Sequence, residues 1–193
     1  MRAVLRYLVA AVAVGFGTSA AAAEMHLDKG NPVSVLKITG PIEKGDAKKF
    51  EQLAQQVPVL MMIVQLNSPG GELTSGLAIA EQIKVRGYST AVRPGDMCAS
   101  ACALAWLAGD GRYMEPASQI GFHAASRRSG TQSVESGEAN ALVGAFLGQL
   151  GLSTDAIRYI THPSPSEVQW LTIKDAMRLG INVTIANEKQ LAR

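Results

Sequence analysis

Three features of this 193-residue chain predict an α/β domain with a largely parallel sheet. Apolar strand-like runs alternate with stretches of helical periodicity along almost the whole sequence. The run at residues 59–66 is apolar without polar alternation, as a strand covered on both faces must be. Turn residues such as Pro69, Gly70, Gly71 and Gly87 separate these runs.

Residues 33–38 read as a first strand, ended by Gly40 and Pro41. Asp46 is placed to cap a helix running toward Gln56. Residues 59–66 form the next strand, bounded by Pro58 and by Asn67, Ser68 and Pro69. Leu73, Leu77, Ala80 and Ile83 then recur at helical spacing until Gly87 stops the helix. Residues 89–92 suit a strand and residues 93–96 a loop. Residues 100–107 are small and apolar, fit for a buried helix beginning at Ser100 and closed by Gly109, Asp110 and Gly111. Residues 112–115 and 119–123 read as short strands around a turn at Pro116. Residues 135–150 form a helix with Ala139, Leu142, Val143, Phe146 and Leu150 on one face, and Ser153 caps a shorter one. Thr172 and Asp175 open a last helix in a capping-box-like pattern, Gly180 stops it, and residues 182–186 make a final short strand.

Residues 1–23 combine Arg2 and Arg6, an apolar run at 8–16 and the small residues Ala21, Ala22 and Ala23. This is the pattern of a secretory signal removed before Glu24, which leaves residues 24–193 as one domain and predicts a secreted or periplasmic protein. The alternative is an uncleaved anchor, since residues 7–23 carry no charge and approach the roughly 17 residues that a span requires. Gly15, Gly17, Thr18 and Ser19 dilute that run and favour cleavage. Nothing after it is long and apolar enough to span, so no stable membrane span is expected once the signal is gone. Loss of Arg2 and Arg6 lowers the 18 basic residues to 16, against 16 acidic ones. The remaining chain is formally neutral and has no basic block, which excludes nucleic-acid binding as a reading.

Three short motifs carry candidate chemistry. Ser100, within Cys98-Ala-Ser-Ala-Cys102, lies at a predicted helix N-terminus, where negative charge developing during nucleophilic attack is favoured. His123 follows a predicted strand and is the best placed of the three histidines to act as a base. Gly70 and Gly71 sit in a strand-to-helix turn that lets backbone N–H groups face a ligand, so the N–H groups of Gly71 and Ala101 could form an oxyanion hole. Each has an ordinary structural reading too: a core serine, an edge histidine, a tight turn. Cys98 and Cys102 are either one disulfide or two buried thiols. Their spacing does not suit a zinc site, and no metal or cofactor is called for.

The order Asn67-Ser-Pro-Gly-Gly71, Cys98-Ala-Ser-Ala-Cys102, Gly121-Phe-His123 and Trp170-Leu-Thr-Ile-Lys-Asp-Ala176 resembles the Clp-protease/crotonase superfamily over residues 33–186. It is most similar to the ClpP-like serine peptidases and their periplasmic relatives. The resemblance implies a superhelix of ββα repeats, with Ser100 as nucleophile, His123 as general base and Gly71 with Ala101 as oxyanion donors. Gly70, Glu72, Leu73 and Ala124 then fall on the edges that hold an extended peptide by strand addition. It also implies a homo-oligomer acting on peptides. No ATP-driven unfoldase is expected outside the cytoplasm. One position departs from the pattern: where ClpP-like enzymes place the triad aspartate, this chain has Val168, with Glu167 beside it. Glu167 could serve one residue out of register, Asn140 is another polar group that could take the place, and a Ser-His dyad would need neither. Three functions are thereby in play: a serine hydrolase forming an acyl-enzyme, a catalytically inactive assembly or binding module, and an acyl-CoA enzyme using the same oxyanion hole.

Overall fold

The computed structural model of the protein describes residues 22–130 and 132–185. In chain order the elements are β1 (Glu24–Asp28), β2 (Ser34–Thr39), α1 (Asp46–Ala54), β3 (Met62–Asn67), α2 (Leu73–Arg86), β4 (Ser89–Val92), β5 (Met97–Ala99) and α3 (Ala101–Leu107). They continue with β6 (Arg112–Met114), β7 (Gln119–Phe122), β8 (Ser126–Ser129), β9 (Gln132–Glu135), α4 (Gly137–Gln149), α5 (Thr154–Thr161), β10 (Gln169–Trp170), α6 (Ile173–Leu179) and β11 (Thr184–Ile185).

Strands β2 and β3 bury alternate residues, so the two-faced burial expected of the 59–66 run is not met; the crossovers between successive strands nevertheless make the neighbours parallel. The main sheet runs β1-β2-β3-β4-β6-β11, parallel from β2 to β11, with β1 antiparallel at its edge. A smaller sheet, β10-β7-β5, pairs β5 with β7 in parallel and β10 with β7 antiparallel. A bridge between Ser68 and Cys98 joins the end of β3 to this second sheet. Strands β8 and β9 form a separate hairpin.

Leu36, Ile38, Met62, Val64 and Leu66 bury their side chains against Ile79 and Ile83 of α2 and Trp106 and Leu107 of α3. Every residue of α3 is buried, so its alanines are a packing requirement: they let it pass close to α2. At Gly76 a Cβ would stand 2.7 Å from that of Ala101. The polar groups that descend with α3 are satisfied, Trp106 Nε1 donating to the Tyr113 carbonyl at 3.2 Å and Thr90 Oγ1 to the Trp106 carbonyl at 2.7 Å. Among the described residues, no helix is long and apolar enough to cross a membrane.

Several expectations need correction. Strand β3 begins at Met62 rather than at residue 59, because Leu60 takes φ 66° in a turn and Val59, Leu60 and Met61 are exposed. Asp46 does not cap α1. Gly45 occupies that place, and the Asp46 carboxylate instead accepts the N–H groups of Glu43 at 2.8 Å and Ala23 at 3.1 Å. Helix α4 starts after Ser136, since residues 132–135 pair as β9, and it buries Val143, Phe146 and Leu147 while Leu142 is exposed. Residues 126–129, for which no element is expected, form β8. Residues 1–21 of the expected signal, and the last residue of the expected final strand, lie outside the described residues.

The Gly76 contact fixes where α3 can lie. Gly76→Val should lower stability by about 1–3 kcal/mol through overpacking against Ala101, read as a lower denaturant midpoint with an unchanged slope. An unchanged midpoint would show that α2 and α3 can separate freely.

Candidate active site

The site is a product of strand register. In the β5–β7 pair Cys98 faces Ile120 and Ala99 faces Gly121, and the Ser100 N–H donates to the Gly121 carbonyl at 2.9 Å. Ser100 and His123 therefore leave the carboxyl ends of two parallel neighbours, strands that lie about 4.8 Å apart. Such strand ends are where open parallel sheets place their ligands.

Ser100 adopts φ 56°, ψ −127°, a conformation that costs a non-glycine residue about 1–3 kcal/mol and must be held from outside. Several contacts hold it. The Ala99 N–H donates to the Ser68 carbonyl at 3.0 Å and the Ser68 N–H to the Met97 carbonyl at 2.7 Å. A disulfide joins Cys98 to Cys102 across the turn, with their Cα atoms 5.2 Å apart, which selects the bridged alternative. From below, Gly70 presses close: a Cβ there would stand 2.7 Å from Ser100 Cβ and 2.6 Å from the Ala99 carbonyl oxygen. The Ser68 hydroxyl secures that glycine by accepting its N–H at 3.1 Å. Ser100 opens α3 without capping it, so its hydroxyl is not consumed by its own helix. The Ala101 N–H, first in that helix, has no intrahelical acceptor.

The turn at Gly70 pairs with Ile42 as a short parallel bridge. Ile42 donates to the Gly70 carbonyl at 2.7 Å and accepts the Glu72 N–H at 2.7 Å. The N–H and C=O of the intervening, exposed Gly71 consequently face the opposite edge. Glu72 is bound into α2: its carboxylate accepts Thr74 N–H at 3.0 Å, Ser75 N–H at 2.7 Å and the Thr74 hydroxyl at 2.6 Å. Partial burial pushes its pKa up, but those bonds outweigh burial and hold it at about 2.

His123 Nδ1 lies 2.8 Å from the carbonyl oxygen of Ala124. A carbonyl can only accept, so Nδ1 is the donor, and in the neutral ring Nε2 keeps the lone pair. Ser100 and His123 line one pocket together with Leu73, Ala101, Leu104, Phe122, Ala125, Val143 and Ile160. Its volume of about 20 Å³ admits little more than a water-sized group. In this conformation no hydrogen bond joins the Ser100 hydroxyl to the His123 ring.

The other expected residues fall as follows. Glu167 is exposed in a turn closed by its N–H on the Ser164 carbonyl, and the ring nitrogen it was to orient is taken by Ala124. Val168 packs with Trp170 over Gly121, where a Cβ would meet them at 2.5 and 2.7 Å. Ala124 is buried, its N–H donates to the Pro163 carbonyl at 2.8 Å and its carbonyl accepts from His123, so its N–H is not open to a peptide edge. Gly70 likewise has both backbone groups engaged, while Leu73 lines the pocket. Ser68 was absent from the sequence-based set, although a hydroxyl just before Pro-Gly is a recognisable turn-stabilising signal.

The Clp protease family profile matches residues 34–142. No curated protein matches the chain by sequence. Among solved structures, a serine-to-alanine form of the 1510-N membrane-bound stomatin-specific protease superposes with TM-score 0.62 at 19% identity, covering 80% of this chain and 80% of that one. A lysine-to-alanine form of that protease, in complex with a substrate peptide, gives TM-score 0.61 at 19% identity, covering 80% of this chain and 75% of that one. ClpP1 from Listeria monocytogenes gives 0.58 at 19% identity, with 80% and 93% covered. The fold is thus ClpP/crotonase-like, as the ordered motifs implied.

Glu72 provides a test of how this turn is held. Glu72→Ala should cost about 1 kcal/mol of stability at pH 7, the usual magnitude for a lost cap. The carboxyl's folded pKa is depressed, so its contribution is present above its ordinary value of 4.5 and disappears as pH falls toward about 2. Thermal unfolding of the two proteins should accordingly converge between those values, and a gap that stays constant down to pH 2 would contradict the assignment.

Proposed function

Because the chain belongs to the Clp protease family, whose profile spans more than half of its 193 residues, we propose that it is a serine peptidase working through an acyl-enzyme on Ser100. The observation that carries this reading is the contact of His123 Nδ1 with the Ala124 carbonyl in a pocket that His123 and Ser100 line together: it assigns the ring proton to Nδ1 and leaves Nε2 as the basic nitrogen. Nε2 takes the hydroxyl proton as Oγ attacks the scissile carbonyl. The resulting oxyanion accepts from the N–H groups of Gly71 and Ala101, and Nε2 then returns the proton to the departing amine. Water repeats the sequence to release the acyl group.

The exposed edge at Gly71 suits an extended peptide added as a strand, with Leu73 beside it. The N–H of Ala124 is committed, so the peptide is held chiefly from the Gly71 side. The small apolar pocket favours a compact apolar side chain next to the scissile bond. A structural neighbour solved with a substrate peptide supports peptides as the substrate class. The disulfide and the N-terminal sequence support a secreted or periplasmic site of action, where the peptidase would meet unfolded segments without an unfoldase. We assign a homo-oligomer on the family resemblance.

One observation favours a second reading, that of a non-catalytic module: the place of the orienting acid is apolar, with Val168 packed on Gly121. A fluorophosphonate separates the two. The peptidase reading predicts covalent labelling that is abolished in Ser100→Ala and slowed by about 10²-fold or more in His123→Ala. Folded protein that takes up no label would favour the module, and retention on immobilised CoA would favour an acyl-CoA enzyme.

A further inference from the structure

The ring of His123 is oriented by a carbonyl rather than by an acid, and the peptide unit that supplies this carbonyl is itself held. Ala124 C=O and Ala125 N–H belong to one planar peptide group, so fixing either end fixes the other. The Ala125 N–H donates to Asn140 Oδ1 at 2.7 Å, and Asn140 Nδ2 donates to Glu135 Oε1 at 2.8 Å. Both partners demand the same orientation of the Asn140 amide: an N–H can only donate to its oxygen, and a carboxylate can only accept from its nitrogen. The next peptide group is tied as well, the Ser136 N–H donating to the Ala125 carbonyl at 2.9 Å.

We propose that Asn140 is a positioning residue for catalysis, and that the chain Glu135, Asn140, the 124–125 peptide and His123 Nδ1 takes the place of the triad acid. This rests on the peptidase reading above. Hydrogen bonds in series polarise one another, so an acceptor on the Ala125 N–H makes the Ala124 oxygen a better acceptor for the ring. Glu135 is exposed, and water weakens its charge, so the chain acts mainly by fixing geometry and tautomer and only secondarily by supplying negative charge. This ordering predicts a large effect at Asn140 and a small one at Glu135.

The test uses Asn140→Ala, Asn140→Asp and Glu135→Gln in the full protein, with folding checked by thermal unfolding. Alanine favours the helix in which residue 140 lies, so α4 is not weakened by propensity. Asn140→Ala should slow fluorophosphonate labelling and lower peptide-hydrolysis kcat by about 10- to 100-fold with KM little changed, the scale seen when outer partners of functional histidines are removed. Asn140→Asp combined with Glu135→Gln, which removes the like charge the new carboxylate would face, keeps the acceptor for Ala125 and should stay within about 3-fold of wild type. Glu135→Gln should cost less than Asn140→Ala and nothing further when combined with it. Nitrogen-15 spectra of labelled histidine, taken where the rings are neutral and assigned with His123→Gln, should show the Nδ1–H form in the wild type and a mixture with the Nε2–H form in Asn140→Ala. Wild-type labelling rate and tautomer in Asn140→Ala would overturn the proposal. If the wild type takes no label at all, the peptidase reading fails, and the spectra alone decide the positioning: a tautomer shift supports it and an unchanged spectrum overturns it.

Discussion

The backbone at Ser100 is the constraint from which the rest of the site follows. A non-glycine residue at φ 56° does not stay there unaided, and nearly every unusual feature nearby serves to hold it. Gly70 is a glycine because its Cβ would enter the space of Ser100 and Ala99. Ser68 is buried because its backbone joins the two sheets while its hydroxyl secures Gly70. The disulfide closes the turn on its own flanks, and the small residues of α3 let the helix that follows the turn sink into the core. The strain is therefore distributed over a hydrogen-bonded strand end, a covalent bridge and a close-packed helix.

The same register that strains the serine brings His123 beside it. Strands β5 and β7 run parallel, so residues 23 positions apart in sequence emerge side by side at one end of the small sheet. On the other side of β7, Trp170 of β10 and the preceding Val168 cover Gly121 and bring no charge to the ring. The loop after β7 turns back on itself, and His123 finds its partner in the carbonyl of the next residue. A neutral acceptor stabilises an imidazolium less than a carboxylate does, so orientation carries more of the burden in this site than charge.

Much of the framework was legible in the sequence. The helical spacing in α2 with its left-handed stop at Gly87, and the caps Ser153 and Thr172, are local signals, and local signals survive tertiary folding. Strands β5 and β10, of three and two residues, carry no pattern of their own and exist only through pairing with β7. The hairpin β8–β9 is polar, and β9 exposes every residue, so neither burial nor alternation marks it. Strand β1 does alternate, burying Met25 between exposed neighbours, but its nearness to the N-terminal apolar segment hid it. In the site, Ser100 and His123 stood out through the order of their motifs. The partner of the ring did not, because a backbone carbonyl has no side-chain signature, and a search among acidic side chains leads to the exposed Glu167.

In the proposed mechanism a hydroxyl on a strained turn, a base on the neighbouring strand and two amide hydrogens converge on one reacting carbonyl group. A crystal structure of the protein after reaction with a peptidyl phosphonate tests it most directly. The account predicts phosphorus bonded to Ser100 Oγ, a phosphoryl oxygen about 2.7–3.1 Å from the nitrogens of both Gly71 and Ala101, and His123 still bonded through Nδ1 to Ala124. An adduct whose oxygen points away from those amides, or that forms on another residue, would contradict it.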